Sequence, residues 1–268
     1  MLDLSLAIKL CGLSAVVGYC LAAVLLLPAN MTSNYGRALM LGKFAAALHF
    51  CAVGLAILLH QSVSISFFDA FSLTALIVVL VTFITQMNLH APTLISPVFL
   101  FSALAVAVSL LWGDHVPIVT HSSGMLLHII FSITAYALLC LAALQAIAVY
   151  WVDKSLKHKT RPKWQKALPS LQSMEIQLFR LVDVGWLALT VAIVTGLLFI
   201  DDIFAQHLIH KTVFSSISWL LFGAFMLGRQ LAGWRGVTAV KWTLGAFAAL
   251  VLAYFGSKFV LDIILQTF

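Results

Sequence analysis

Residues 201–236 read DDIFAQHLIHKTVFSSISWLLFGAFMLGRQLAGWRG. The stretch opens on a polar segment carrying Asp201, Asp202, His207, His210 and Lys211, becomes apolar, and ends on the basic turn Arg229…Gly233-Trp234-Arg235-Gly236. An apolar run of about 20 residues is the length of a membrane-crossing helix. Two imidazoles three residues apart at its mouth need a reason, because polar side chains at membrane depth are costly. Basic residues at the far end point that end toward the cytoplasm.

The rest of the chain repeats this pattern. Of its 268 residues, 63% are apolar and 9% charged, with a mean hydropathy of +1.09. Soluble domains carry about 25% charge, so this composition cannot cover a water-facing surface. The apolar runs have helix length and lack the ten-residue alternation of barrel strands. The net charge of +6 does not indicate nucleic acid, because Lys and Arg cluster in short loops where membrane topology accounts for them. Cys11, Cys20, Cys51 and Cys140 all lie in apolar runs with no C-x-x-C pair, which indicates neither a zinc site nor a dithiol.

The spacing predicts an all-α integral membrane protein with eight transmembrane helices in a single transmembrane domain, 1–268. The spans are Ser5–Leu27, Ala38–His60, Phe67–Met87, Thr93–Trp112, Ser123–Val152, Val184–Ile200, Val213–Leu231 and Val240–Leu265. Pro28–Gly36 and Asp201–Lys211 read as loops, and 153–173 as a basic cytoplasmic loop. Met174–Val182 (MEIQLFRLV) reads as an amphipathic cytoplasmic segment, either an interfacial helix or a water-exposed first turn leading into the sixth span. Twelve of the 15 Lys and Arg fall on one side: Arg37, Lys43, the six from Lys154 to Lys166, Arg180, Arg229, Arg235 and Lys241. Lys9, Lys211 and Lys258 fall on the other. The positive-inside rule then places both termini outside (N-out/C-out).

With that orientation, His60, His115, His121, His128, His207 and His210 gather at the outer face, and His49 stands in mid-membrane. His49 and His60 are eleven residues apart and share a helix face; His121 and His128, seven apart, share one if their helix starts early. Loop histidines usually have no ligand role, whereas an ionisable residue inside a span is a candidate for function. No H-x-x-x-H or H-E-x-x-H spacing suggests a bare metal ion. Haem asks for less: one or two axial imidazoles, an apolar slot and cations for its propionates. Lys258 and Asp262, at i and i+4, read as an ion pair. Acidic residues through the membrane's depth, which ion transport would want, are missing. No nucleophile–base pair appears at matched outer positions, so an enzyme is not expected.

The chain resembles the cytochrome c assembly proteins of the CcsA/CcmC type, and among them the short HemX-like or YpjD inner-membrane branch. The resemblance rests on His210-Lys211-Thr212 through Trp219, Gly233-Trp234-Arg235-Gly236, and Ala253-Tyr254-Phe255-Gly256. Leu127-His128-Ile129 with Ala135-Tyr136-Ala137 matches the family's histidine helix, and His60…Phe68-Asp69-Ala70-Phe71-Ser72 the segment after its first membrane histidine. Leu168-Pro169-Ser170-Leu171…Leu178-Phe179-Arg180 is similar to the YpjD branch. The family's W-W-D signature is absent, since Asp201–Lys211 holds no tryptophan, and no histidine follows Gly256. A cytochrome c synthetase is therefore not implied.

The resemblance implies a bacterial inner-membrane protein that handles haem at an outward-facing site. His128 would be the axial ligand to the haem iron, with His49 or His60 second; His210 falls where the family has proline, and Lys211 would meet a propionate. The alternative is a non-catalytic accessory or regulatory subunit, HemX-like and without haem, whose membrane protein partner meets the Lys154–Lys166 loop. Attraction to anionic lipids also accounts for that loop.

Overall fold

A computed structural model describes residues 2–26, 31–60, 67–89, 94–113, 123–158, 169–199 and 206–253. Among these there are eight helices and no strand: α1 Leu2–Leu25, α2 Met31–His60, α3 Phe67–Leu89, α4 Ile95–Trp112, α5 Ser123–Lys157, α6 Leu171–Phe199, α7 Gln206–Ala232 and α8 Val237–Val251. Six contain stretches long and apolar enough to cross a membrane: Leu4–Leu25, Ser33–His60, Ile95–Trp112, Ser123–Lys157, Leu171–Phe199 and Lys211–Ala232. In α3 and α8 the described apolar stretches, Phe68–Ile84 and Val237–Val251, are shorter.

Several boundaries differ from the sequence reading; α5 runs to Lys157 and α6 begins at Leu171, so both ends of the 153–173 segment expected as a loop are helical. α2 begins at Met31, so much of the segment expected as a loop over Pro28–Gly36 is helical. α7 begins at Gln206, so His207, His210 and Lys211 stand on helical backbone instead of in a loop. Polar residues mark a loop only by correlation; no proline or glycine interrupts 202–212, and the propensity cost of an ordinary residue stays below about 0.7 kcal/mol. Met174–Val182 is continuous with the sixth span in α6, burying Met174, Leu178, Leu181 and Val182. It forms the first turns of a long helix, as in the second of the two forms expected, but with one side buried instead of water-exposed. Lys258 and Asp262 lie outside the described residues.

The surface is apolar and the interior holds the small and polar groups. On α1, Leu6, Leu10, Leu13, Val17, Leu21 and Val24 form a stripe, each at least half exposed, while Ala15, Tyr19, Ala22 and Ala23 are buried. Lipid, not water, suits such a stripe. Helices in lipid gain nothing from burying apolar area against each other, so close packing of small residues holds them together.

The helices divide into two compact units, α1–α4 and α5–α8. In the first, a Cβ on Gly18 would lie 2.9 Å from Ala45 Cβ, and one on Gly42 would overlap the Phe99 ring. In the second, a Cβ on Gly185 would lie 2.7 Å from Leu139 Cδ2, and one on Gly124 would overlap Phe199, so α5 and α6 pack without intervening bulk. Buried Gln145 donates from Nε2 to the Met174 carbonyl, 2.9 Å, across the same seam.

The turn between α7 and α8 explains its own sequence. Gly233 and Gly236 have φ of 63° and 56°, where a Cβ is disfavoured. Trp234 folds back over Gly228, stacks on Trp242 at 4.9 Å between ring centroids, and donates its backbone N–H to the Gly228 carbonyl at 3.3 Å. Glu175 of α6 accepts the Gly236 N–H, 2.7 Å, at the N-cap of α8. About two turns further along α6, Asp183 meets Arg229 at 2.9 and 3.0 Å to its two oxygens, with the guanidinium 5.0 Å from the Phe179 ring centroid. Glu175→Ala is expected to cost about 1 kcal/mol, the value of a helix cap. It should lower the thermal midpoint in detergent, and Glu175→Gln should recover most of the loss.

Candidate functional site

His128 lies on α5, half-buried, in the second unit. Its Nδ1 is 2.8 Å from the carbonyl oxygen of Ala192 on α6. A carbonyl can only accept, so Nδ1 carries the proton and Nε2 keeps its lone pair. Nε2 makes no hydrogen bond with the described residues. A ring held by one N–H to a main-chain oxygen, with the other nitrogen basic, is the arrangement of a metal-ligating histidine. The donor chemistry therefore fits an axial haem ligand.

Elsewhere in this unit Trp186 of α6 and Trp219 of α7 stack at 5.5 Å and 17°. Trp186 Nε1 donates to the Trp219 carbonyl (3.1 Å), and Trp219 Nε1 donates to Thr190 Oγ1 (2.8 Å). Both indole N–H groups are thus satisfied within the pair of helices, which leaves Trp219 a packing role. Lys211 is half-buried in the first turns of α7. The side chains of His207 and His210, and all of His90, His115 and His121, lie outside the described residues.

The first unit brings His49 and His60, expected from their spacing to share a helix face, to one cavity of about 470 Å³. The ends of four helices surround it: Ser5 and Lys9 of α1, His60 of α2, Asp69 of α3, and Ser109 and Gly113 of α4. Asp69 Oδ1 accepts the Ser109 hydroxyl at 2.7 Å. His49 is only 1% exposed. The Tyr19 hydroxyl faces its Nδ1 at 3.5 Å, and Nε2 stands 2.9 Å from Ser72 Oγ. With Tyr19 donating to Nδ1, Nε2 carries the proton and donates to Ser72, so one neutral tautomer satisfies both. Ligation by His49 would require giving up one of these bonds. His49→Leu, close in volume, is expected to cost about 1–2 kcal/mol through the lost hydrogen bonds. A lower thermal midpoint with an unchanged haem spectrum is the expected pair of readings.

Lys9, Asp69, Ser72 and Ser109 come to this cavity from three helices, a gathering that no local spacing announces. The sequence reading noted Asp69 and Lys9 but did not join them to the histidines. Among the described residues no three His, Cys, Asp or Glu side chains converge where they could hold a bare metal ion.

Comparison with known proteins supplies the family. The chain is 29% identical over 259 residues to the inner membrane protein YpjD of Escherichia coli K12, covering 94% of this chain and 98% of that one. It is 32% identical over 141 residues, 52% of each chain, to an uncharacterized 28.8 kDa protein of Azospirillum brasilense. Similarity to the cytochrome c biogenesis protein CcsA of Synechococcus sp. CC9902 is lower, 23% over 158 residues, or 50% of this chain and 52% of that one. No solved structure matches. The model of the cytochrome C assembly protein family matches residues 38–265, most of an all-helical, multi-pass inner membrane chain, and this protein belongs to that family.

Proposed function

We propose that the protein carries haem in the inner membrane, with His128 as axial ligand at an outward-facing site. The observation that bears most on this reading is the 2.8 Å bond from His128 Nδ1 to the Ala192 carbonyl, which leaves Nε2 basic and fixes the ring. Bound haem would supply an iron that takes one imidazole nitrogen. The chain's own part is to hold that ring, shield the porphyrin from water between apolar helices and neutralise the propionates, for which Lys211 is the nearest cation in sequence to the α7 mouth. The outward direction is supported by the twelve basic residues read at the opposite side of the membrane. The role is that of a carrier, not a catalyst: the sequence offers no nucleophile–base constellation, and Asp201–Lys211 contains no tryptophan.

The test is an absorption spectrum of the detergent-purified protein, oxidised and reduced, before and after adding haem. The expected result is a redox-responsive Soret band at about one haem per chain. A colourless protein that takes up no added haem overturns the proposal. It would favour the second reading, an accessory or regulatory subunit whose partner meets the basic segment Lys154–Lys166, a reading supported by the missing tryptophans. One stoichiometric partner co-purifying without pigment is the result that reading expects.

A further inference from the structure

The proposed function rests on His128 in the second unit and makes no use of the cavity of the first unit, whose lining is chemically specific. The cavity runs from the helix ends at Ser5, His60 and Gly113 down to His49. Those eleven residues of α2 rise about 16 Å, half the thickness of the hydrocarbon core. Most of the wall is aliphatic, with Ile8, Val53, Val106 and Leu110 among the lining residues. Gly12 lets Leu110 pack close against α1, since a Cβ there would lie 2.9 Å from Leu110 Cδ2.

The charged and titratable groups on the wall are Lys9, His49, His60 and Asp69. His49 is held by Tyr19 and Ser72, and Asp69 accepts from Ser109. Lys9 forms no hydrogen bond or ion pair with the described residues. Its position on α1 matters. Ser5, Ile8, Lys9 and Gly12 follow i, i+3, i+4, i+7 spacing and line the cavity, whereas Leu6, Leu10 and Leu13 belong to the exposed stripe on another face. Lys9 thus lines the cavity mouth while remaining exposed, at the border between the cavity and the stripe of Leu6, Leu10 and Leu13. Asp69, the carboxylate on the same wall, is bonded to Ser109 and not paired with Lys9 among the described residues, so the ammonium is open to an anionic ligand.

We infer that this cavity binds an amphiphile with a single acidic headgroup, a carboxylate or a phosphate monoester, whose head pairs with Lys9 at the mouth and whose aliphatic body lies in the slot toward His49. Pairing satisfies the ammonium by a charge-assisted hydrogen bond. The aliphatic wall accommodates the chain, and the polar groups at the mouth supply the selectivity and orient the head, as in other small-molecule sites. The inference stands whether or not His128 holds haem.

Native mass spectrometry of the protein in a non-ionic detergent tests it. The probes are oleate and oleoyl lysophosphatidate, with uncharged monoolein as control. One saturable adduct is expected with at least one acidic probe and none with monoolein; which acidic probe is retained names the headgroup. Lys9→Gln should weaken that binding about tenfold, the loss of one charged hydrogen bond. Ala56→Trp, which fills the slot, should abolish it, while Leu10→Trp on the lipid-facing stripe of α1 should leave it unchanged. No adduct, equal uptake of monoolein, or undiminished binding by Lys9→Gln overturns the inference. So does loss of a haem band in Ala56→Trp, because the cavity would then belong to the haem site. If Ala56→Trp does not fold, Lys9→Gln decides alone, since it adds no bulk.

Discussion

His128→Ala is expected to reduce bound haem from about one per chain to a small residue, with the Soret band of the purified protein lost in proportion. The argument rests on which nitrogen is occupied. In His128 the proton sits on Nδ1 because its partner is a main-chain carbonyl, and that carbonyl belongs to Ala192 on a neighbouring helix. The ring is thereby held in one orientation before any ligand arrives, and the lone pair on Nε2 has no competing bond among the described residues. Alanine removes ligand and anchor together, while the Ala192 carbonyl keeps the Thr195 hydroxyl at 3.0 Å, so the lost hydrogen bond costs about 1 kcal/mol in stability. That cost is too small to unfold the protein, so circular dichroism should show intact helix beside the missing pigment. His128→Met separates ligation from packing. A thioether can fill an axial position and raises the reduction potential. A haem spectrum with a raised midpoint potential in His128→Met identifies a ligand; an unchanged spectrum in His128→Ala removes His128 from the site.

The second large effect concerns stability. Gly42→Val is expected to destabilise the first unit by about 3 kcal/mol or more, the upper range for overpacking a tight core. Two effects compete at this position. A side chain in place of glycine in a helix interior gains up to about 1 kcal/mol in propensity. Against that, a Cβ at Gly42 would overlap the ring of Phe99, which is fully buried. Phe99 has little room to retreat, because Tyr19 and Phe83 flank it with ring centroids at 5.7 and 6.2 Å. The clash therefore outweighs the propensity. Thermal unfolding followed by detergent size exclusion measures the loss, and Phe99→Leu in the Gly42→Val background should restore part of it by making space.

The membrane class was legible because it depends on composition and run length alone. The ends of α2 and α7 were not, because Thr32-Ser33-Asn34 and His207–Lys211 are polar yet carry no helix breaker, and solubility was mistaken for irregularity. At the candidate sites the same division holds. The shared face of His49 and His60 follows from their spacing on one helix, but the cavity they line is made by the packing of α1, α3 and α4. His128 was singled out as a histidine inside an apolar helix, but its partner is a peptide carbonyl 64 residues away, and every residue type offers the same carbonyl. Asp69 and Ser109 meet across 40 residues for reasons that only helix packing supplies. The glycines of Gly233-Trp234-Arg235-Gly236 were read as a family signature, and the structure gives them a backbone reason instead: two left-handed positions around a stacked tryptophan.

The buried chain Tyr19–His49–Ser72 takes one side chain from each of α1, α2 and α3. Smooth apolar helices can slide past one another in lipid with little change in energy, since each displaced contact is replaced by another much like it. A polar chain cannot. Shifting α2 by a single turn, about 5.4 Å, would strand both ring nitrogens and both hydroxyls in hydrocarbon at once. The imidazole thus acts as an index mark for assembly, selecting one axial alignment of three newly inserted helices from several that would pack almost equally well.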